Sequence, residues 1–488
     1  MRSDMRHDAV SEPKHRALLT LLGGCACIAT AVWGAGCFNF NPSTACSENE
    51  DACVEAGSGD AISAEGSVDS SAFDSAGGDG AETSIAEVGA DAAADASGDA
   101  CSATGACTPG STRVGGVCAI DEVGTETCEA GCVWKTTCTI KKGWRTIASV
   151  PAGFVGRRFA STVWTGSKMI VFGGEGKSGL LKDGARYDYA TDLWTDVAPP
   201  PTTLAARRFH SAVWTGAEMI VWGGEDTGGA LADGARYDVG TNTWLAVAAS
   251  PLAARAQHVA VWSPTQKKMF VWGGRGACSG IVCADGASYD PASNTWAMLP
   301  AAPLTARDEH FAAWDGAQVF VWGGNAGDTV FRDGARFLPG TSTWTNLADP
   351  PTGLSDRFGA VRDFGAGEFY LWGGEDKVGQ YATGLRYVVA TGSWTQLAVP
   401  PSTLLKARTY AQGWFGEGKL YVWSGYDTGV VEPSGASYDP SANAWIAMPT
   451  AGQPSARGYG HVIWTGRAAL VWGGQAASVL ADGAAFVP

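Results

Sequence analysis

Three histidines recur along the chain at positions from which they could bind a metal ion together. His210, His258 and His310 each lie three residues after an arginine, and 48 and 52 residues separate them. Imidazole nitrogens are common metal ligands, so three of them around one axis could hold a transition metal. The residues around each histidine recur as well, which favours an architectural role. We therefore predict no metal site and no cofactor.

Three glutamates offer carboxylates that could act in acid–base catalysis. Glu175, Glu225 and Glu375 each follow a Gly-Gly pair and lie 18 residues after a recurring arginine. Across a hairpin, that spacing would place each carboxylate opposite its arginine, and an ion-paired carboxylate is a poor general acid or base. We therefore expect structural ion pairs and predict no catalytic residue. The expected partners are Arg157, Arg207 and Arg357.

The cysteines indicate an oxidising compartment, because the chain has 13 of them and reduced compartments disfavour such a number. Cys278 and Cys283 lie inside the repeats and are predicted to form a disulfide. Six more lie within residues 101–138, where disulfides are favoured, their connectivity is open, and zinc binding at Cys128 and Cys132 is the alternative. The six are Cys101, Cys107, Cys118, Cys128, Cys132 and Cys138.

A repeated unit must position these residues. In the copy from Arg207 to Trp244, an arginine is followed 16 residues later by Gly-Gly, and then by an aromatic residue and a tryptophan with six residues between them. Seven copies with a period near 50 residues are typical of a propeller or a solenoid. Four strand-length runs per copy, separated by turn residues, favour propeller blades. The recurring arginines are Arg157, Arg207, Arg255, Arg307, Arg357, Arg408 and Arg457.

Gly-Gly at the end of the second strand, followed by the aromatic–tryptophan pair, resembles the signature of the kelch-repeat propellers. The resemblance covers residues 143–488 and implies an all-β fold of seven blades, with aromatic side chains between them. The last copy ends at Pro488 without a fourth strand. Trp144 lies 50 residues before Trp194, so we predict that an N-terminal strand completes blade seven beside Phe486 and closes the ring.

Some kelch propellers are copper-radical oxidases that resemble galactose oxidase. Their activity needs a cysteine bonded to a tyrosine, with further tyrosine and histidine ligands. Here Cys278 and Cys283 are predicted to pair with each other. The resemblance to a galactose-oxidase-like propeller of the bacterial secreted or lipoprotein type therefore does not extend to the copper-radical site.

Residues 1–36 resemble a secretory signal peptide, because a polar segment with basic residues precedes a stretch without charge from Ala17 to Gly36. The small residues before Cys37 resemble a bacterial lipoprotein cleavage box and predict lipidation of Cys37. An uncleaved anchor is the alternative, since the uncharged stretch is long enough to span a bilayer. The predicted location is the outer membrane or cell surface, or else the periplasm or the extracellular space.

Residues 37–100 are predicted to be a disordered acidic tether rich in alanine, glycine and serine. Between Ala17 and Thr112 there are 14 acidic residues and no lysine or arginine, and the whole chain has a net charge of −15. Such a composition favours a solvated spacer over a packed domain. The remainder of the chain has no basic stripe, so we exclude nucleic acid as a partner.

Loop lengths predict which end of the propeller is functional. The first and third connections of each blade are tight turns at one end, whereas the second and the blade-to-blade connections are longer and emerge at the other. Binding residues gather on loops held by a rigid scaffold, so we expect a binding site at the long-loop face, around the channel mouth. The residues directly after Gly-Gly, or after Ser424-Gly425 in the sixth copy, form its predicted rim, namely Glu175, Glu225, Arg275, Asn325, Glu375, Tyr426 and Gln475.

Blade three is predicted to be a specialised sector of that face. Its second connection runs from Arg275 to Ala284 and contains both propeller cysteines. Ile281 and Val282 should be exposed, and Arg255 should lack an acidic partner. An apolar tip beside an arginine would suit a binding anchor; a tolerated insertion is the alternative.

Two classes of function remain. The favoured one is a monomeric propeller on a lipid-anchored stalk that binds a protein or a glycan at the long-loop face. The alternative is a secreted carbohydrate-active enzyme that uses the same face. A cluster of catalytic carboxylates or a metal site at the channel mouth would favour the enzyme.

Overall fold

The computed structural model describes residues 112–114, 122–128, 134–351 and 356–488. The predicted signal peptide, the lipidated Cys37 and the acidic tether lie outside these residues. The chain divides into two compact units, with the boundary between Ile140 and Lys141. All regular secondary structure within the described residues is β-strand, as the sequence predicts.

The first unit contains a three-stranded antiparallel sheet. Its strands, in order across the sheet, are Thr112–Val114, Glu122–Cys128 and Trp134–Ile140. Cys128 and Cys138 are both disulfide-bonded, as predicted. The other four cysteines of this segment lie outside the described residues.

The second unit is a propeller of seven blades, and each blade is a four-stranded antiparallel sheet. The first strands of successive blades lie side by side around a central axis. The strands of blades 1 to 3 are Ser161–Trp164, Lys168–Phe172, Gly184–Asp188 and Leu193–Asp196; Ser211–Trp214, Glu218–Trp222, Gly234–Asp238 and Thr243–Ala246; and Val259–Ser263, Lys268–Trp272, Gly286–Asp290 and Thr295–Met298.

The remaining blades repeat this order. The strands of blades 4 to 6 are Phe311–Trp314, Val319–Trp322, Gly334–Leu338 and Thr343–Asn346; Val361–Gly365, Glu368–Trp372, Gly384–Val388 and Ser393–Gln396; and Gln412–Gly416, Lys419–Trp423, Gly435–Asp439 and Ala444–Ala447. Blade 7 consists of His461–Trp464, Ala469–Trp472, Gly483–Val487 and Gly143–Thr146.

Short ladders extend five of the blades at the long-loop end. They are Glu175–Gly176 with Gly179–Leu180, Glu225–Asp226 with Gly229–Ala230, Arg255–Ala256 with Arg275–Gly276, Asn325–Ala326 with Thr329–Val330, and Tyr426–Asp427 with Val430–Val431.

The second strand of each blade is an apolar run because both of its faces are covered. In blade 1 the residues from Met169 to Phe172 are fully buried. A middle strand that packs against a neighbouring blade on either side has no solvent face, so polar and apolar residues need not alternate along it. β-Branched and aromatic residues suit this extended, packed backbone.

The tight turns at the opposite end are stabilised by side chains. Thr165 Oγ1 accepts a hydrogen bond from the Lys168 amide at 2.9 Å, and Gly166 takes the positive φ that this turn requires. In the third connection, Asp188 Oδ1 accepts from the Ala190 amide at 3.0 Å. These contacts confirm that the first and third connections are tight turns.

The aromatic pairs join each blade to its neighbour. In blade 1 the Tyr187 and Trp194 ring centroids are 5.1 Å apart. The Trp194 indole donates a hydrogen bond to the Ala148 carbonyl at 2.9 Å, in the connection that precedes the blade. Equivalent indole bonds, between 2.7 and 3.1 Å, are made by Trp244, Trp296, Trp344, Trp394 and Trp445.

The N-terminal strand closes the ring, as predicted. Trp144 lies directly opposite Phe486 in the register between the two strands, and their ring centroids are 4.9 Å apart. Blade 7 then packs against blade 1 through a shared cluster that includes Trp472 and Trp194. The ring therefore has no open sheet edge between its first and last blades.

Candidate functional site

The recurring arginines are structural. Arg207 is fully buried; its Nη1 donates to the Gly223 carbonyl at 2.9 Å, and its Nη2 donates to Asp233 Oδ2 at 2.9 Å. The same arrangement ties the start of each blade to its Gly-Gly turn, or to Ser424-Gly425 in blade 6. The partners on the aspartate side are Asp183, Asp233, Asp285, Asp333 and Asp482, with Thr383 and Ser434 in blades 5 and 6.

The predicted pairing of these arginines with the glutamates was therefore wrong. The glutamates lie across the hairpin from the residue that follows each arginine, because backbone bridges join Arg158 to Glu175 and Arg208 to Glu225. Arg255 has an acidic partner after all, since its Nη2 lies 2.9 Å from Asp285 Oδ1. The aspartate before the third strand was a repeated signal in the sequence that could have identified these pairs.

The seven predicted rim residues occupy equivalent places at the long-loop face. Each pairs through its backbone with the residue that follows the recurring arginine of its own blade. The side chains of most of them are half-buried, whereas Asn325 is buried. Their backbone partners are Arg158, Arg208, Ala256, Asp308, Phe358, Thr409 and Gly458.

In blades 1 and 2 the rim charges neutralise one another. Glu175 accepts from Arg158 Nη2 at 3.2 Å and from Arg208 Nη1 at 2.6 Å. Arg208 Nε also donates to Glu225 Oε1 at 2.9 Å, and Arg158 reaches Gln475 of blade 7. These five side chains form a continuous ladder, so Glu175 and Glu225 are each held by a cation and are poor candidates for a general acid.

Sequence reasoning missed a second circle of residues, below the rim. The residue two positions after each recurring arginine has a positive φ, between 53° and 63°, and four of the seven accept a hydrogen bond from the amide of the next blade's counterpart. We call these seven residues the channel ring. They are Phe159, Phe209, Gln257, Glu309, Gly359, Tyr410 and Tyr459.

The channel ring consists of aromatic residues in blades 6, 7, 1 and 2. The centroids of Tyr410 and Tyr459 are 4.3 Å apart, those of Tyr459 and Phe159 are 5.2 Å apart, and those of Phe159 and Phe209 are 4.6 Å apart. The guanidinium of Arg208 stacks on Phe209 at 4.7 Å. Arg158 stacks on Phe159 in the same way, so the arginines of the charge ladder cover the two phenylalanines of the channel ring.

The channel ring consists of polar residues in blades 3 and 4. Glu309 Oε1 accepts from Gln257 Nε2 at 3.3 Å, and its Oε2 accepts from Asn325 Nδ2 at 3.3 Å. Burial raises the pKa of Glu309 to about 8, and the negative charge of Asp308 raises it as well. Burial also raises the pKa of Asp308 to about 6, although Arg275 opposes this shift.

The histidines are packing residues in this structure. The Cβ of a side chain at Gly173 would lie 2.7 Å from His210 Cε1, and one at Gly223 would lie 2.6 Å from His258 Cε1, so each ring lies against the glycine of the preceding blade. His210 Nε2 is 2.8 Å from Ser161 Oγ. Burial and nearby arginines lower the histidine pKa values, to about 3 for His258. Within the described residues, these imidazoles do not belong to a group of three ligand atoms at metal-binding distance.

The cysteines of blade 3 form the predicted disulfide, with a Cα–Cα distance of 5.5 Å. Within the described residues, the one group of three ligand atoms close enough for a metal is Cys278, Cys283 and Asp285. Both sulfurs are joined to each other and Asp285 is held by Arg255. This group therefore does not offer a metal site.

A family comparison agrees with this architecture. The model of the KLHDC2/KLHL20/DRC7 kelch-repeats domain matches residues 124–299, which include blades 1 to 3. The chain is a kelch-repeat propeller. No curated protein matches it. In the described part of the kelch chain, no helix is long and apolar enough to cross a membrane.

The long-loop face of the kelch propeller also carries exposed apolar tips. Ile281 is 77% exposed, Val378 is 88% exposed and Val430 is 64% exposed, and they belong to the second connections of blades 3, 5 and 6. Ile281 was expected to be exposed, but its neighbour Val282 is half-buried because it bridges to Arg275. The tips give this face an apolar component beside its polar rim.

Proposed function

We propose that this kelch propeller is an interaction module that binds a protein partner at its long-loop face. The observation that carries the proposal is the set of exposed tips, Ile281, Val378 and Val430, on one end of a rigid ring. Large apolar side chains on protruding hairpins suit burial against another protein. The tight turns of the opposite end leave little adaptable surface there.

Site-specific photo-crosslinking in the full chain tests the location. We expect p-benzoylphenylalanine at Val378 to give an adduct of discrete mass with one partner. The matched control is the same residue at Leu193, which is also an exposed apolar position but lies beside a turn at the opposite end. Equal adducts from both positions would contradict the proposal, and an adduct that is a glycan would replace the protein partner with a carbohydrate.

We further propose that residues 1–36 direct export and that a lipid on Cys37 anchors the propeller. The support is the uncharged stretch and the small residues before Cys37. Metabolic labelling with a fatty-acid analogue in a Gram-negative host should label the full chain but not Cys37→Ser. Cys25→Ser is the matched control and should stay labelled. Absence of label from both the parent and the control would favour an uncleaved anchor.

A further inference from the structure

The charges of the channel mouth do not balance in blade 4. Asp308 is 4% exposed, and among the described residues its Oδ1 has no hydrogen-bond partner. The nearest cation, Arg275, keeps its Nε 3.9 Å from Asp308 Oδ2, which is too long for a hydrogen bond. A buried carboxylate oxygen without a donor is costly unless a ligand provides one.

A second buried carboxylate lies beside the first. Glu309 is 7% exposed and takes only neutral amide donors, from Gln257 and Asn325. Arg362 lies within electrostatic reach of it but donates to Asp356 Oδ1 at 2.8 Å and to the Arg357 carbonyl. Among the described residues, the hydrogen bonds to Glu309 therefore come from neutral amides.

One tyrosine, Tyr410 of blade 6, lies within electrostatic reach of Glu309. The Cβ of a side chain at Gly359 would overlap Thr409 Oγ1 and would lie 2.9 Å from Tyr410 Cε1, so Thr409 and the ring of Tyr410 fill the place of the missing side chain in blade 5. Glu309 and Glu375 are both close enough to raise the Tyr410 pKa, although burial is the larger cause. Carboxylates beside aromatic rings are the surroundings that favour an organic cation.

We propose that Asp308 and Glu309, with Tyr410 beside them, form a site for a cationic side chain, an arginine or a lysine of the protein partner. This inference rests on the proposed function and names the chemistry of the group that the propeller recognises. An organic cation fits better than a metal ion. Within the described residues, neither carboxylate belongs to a group of three ligand atoms at metal-binding distance.

Small probes test the site directly in the full chain. We expect N-acetyl-arginine methylamide or N-acetyl-lysine methylamide to bind with a millimolar Kd in calorimetric titration at pH 8.5. The uncharged isostere, N-acetyl-citrulline methylamide, should bind at least tenfold more weakly. Tighter binding of the arginine probe identifies a guanidinium site, and tighter binding of the lysine probe identifies an ammonium site. Equal binding of the citrulline probe, or no binding of either cation, overturns the proposal.

An isosteric variant and a matched control locate the bound probe. Asp308→Asn should weaken binding of the preferred cation at least tenfold, because it removes the uncompensated charge. Asp328→Asn makes the same change on blade 4, where the side chain is 88% exposed and pairs with Lys377, and should not change binding. Equal effects of the two variants would show a nonspecific charge effect and overturn the site.

The wild-type protein provides a test that needs no substitution. Burial holds the pKa of Glu309 near 8, so below that pH a cation must displace its proton, and the affinity for the cationic probe should rise by up to about 100-fold from pH 6 to pH 9. Asp308, Arg275, Arg362 and Tyr410 are the charged or titratable groups within electrostatic reach of Glu309. Affinity that is flat over this range contradicts a role for Glu309. Adducts from Val378 without probe binding would leave the proposed function intact and remove only this site.

Discussion

Two sectors of the channel mouth treat charge in opposite ways. In blades 1 and 2, Glu175 accepts from both Arg158 and Arg208, and the arginines stack on the phenylalanines of the channel ring. In blade 4, Asp308 lies 3.9 Å from its nearest cation and Glu309 has only amide donors. The backbone is the same in both sectors, since the same bridge joins each rim residue to its partner.

The difference shows how a repeated fold separates stability from recognition. The buried arginine and its partner before the third strand recur in every blade and hold each Gly-Gly turn. The next two residues along the chain are free to change. A sector in which each charge has an ion-pair partner stabilises the propeller. A sector with buried, unpaired carboxylates lowers the free energy of unfolding, and a bound cation can reverse this loss.

The comparison depends on an intact ring, so opening the ring should have the largest effect. Deletion of residues 139–148 removes the strand that pairs with Gly483–Val487 and exposes the edge of that strand. We expect loss of cooperative thermal unfolding and aggregation, well beyond the roughly 3–5 kcal/mol that follows loss of one buried tryptophan. Calorimetry that shows an unchanged melting transition in the deletion variant would contradict the closure.

Substitutions in the two sectors should change the free energy of unfolding in opposite directions. Glu175→Gln leaves two arginines without their shared carboxylate and should destabilise the protein by about 1–2 kcal/mol, since the group is only partly exposed. Asp308→Asn removes a buried charge with no close partner and should stabilise it by about 1–2 kcal/mol at pH 7. Urea denaturation of both variants and the parent measures the two effects. Shifts in the same direction would show that the sectors do not differ in this way.

The fold could be predicted from the sequence because the sequence pattern of one blade recurs seven times. The period and the four strand-length runs predicted the blades, and the spacing of Trp144 from Trp194 predicted the contact of Trp144 with Phe486; the structure confirms both. The channel ring could not be found in this way, because its members share a backbone conformation and not a residue type. Phe159, Glu309 and Gly359 have similar φ values, and no repeated letter marks them.

The ion pairs were mispredicted for a related physical reason. The spacing of 18 residues predicted that Arg157 lies opposite Glu175. In the structure, the backbone bridge joins Glu175 to the next residue, Arg158. A shift of one residue turns a side chain to the other face of an extended backbone. Arg157 therefore points to the buried face, where its Nη2 lies 2.9 Å from Asp183 Oδ2. Arg158 points to the rim, where it pairs with Glu175.

The pH dependence of stability should separate the sectors further. The folded pKa of Glu309, about 8, lies above its ordinary value of 4.5, so its contribution to stability is complete below pH 4.5 and is lost as pH rises through 8. Wild type should therefore lose about 4 kcal/mol relative to Glu309→Gln between pH 5 and pH 9. The difference between the two proteins removes the shared effects of Asp363, whose pKa is raised to about 7, and of the buried histidines.

Urea midpoints at four pH values across that range measure the difference. Glu175→Gln serves as the control from the neutral sector, and its offset from wild type should stay constant over the same range. A constant offset for Glu309→Gln as well would mean that the carboxylate is ionised throughout and that the blade 4 sector is not strained.

The smallest effect on stability should come from the disulfide of blade 3. A short loop between Cys278 and Cys283 gives at most about 2 kcal/mol by the chain-entropy model. Its ends are already held, because the Cys283 amide donates to the Gly274 carbonyl at 2.8 Å and the Gly276 amide donates to the Ile281 carbonyl at 3.1 Å. The double change Cys278→Ser with Cys283→Ser should therefore lower the unfolding free energy by less than about 2 kcal/mol.

We expect the same double change to weaken photo-crosslinking from Ile281, since a looser tip must be ordered when the partner binds, while crosslinking from Val378 stays the same. If both positions crosslink as before, the loop of blade 3 is a tolerated insertion and not an anchor.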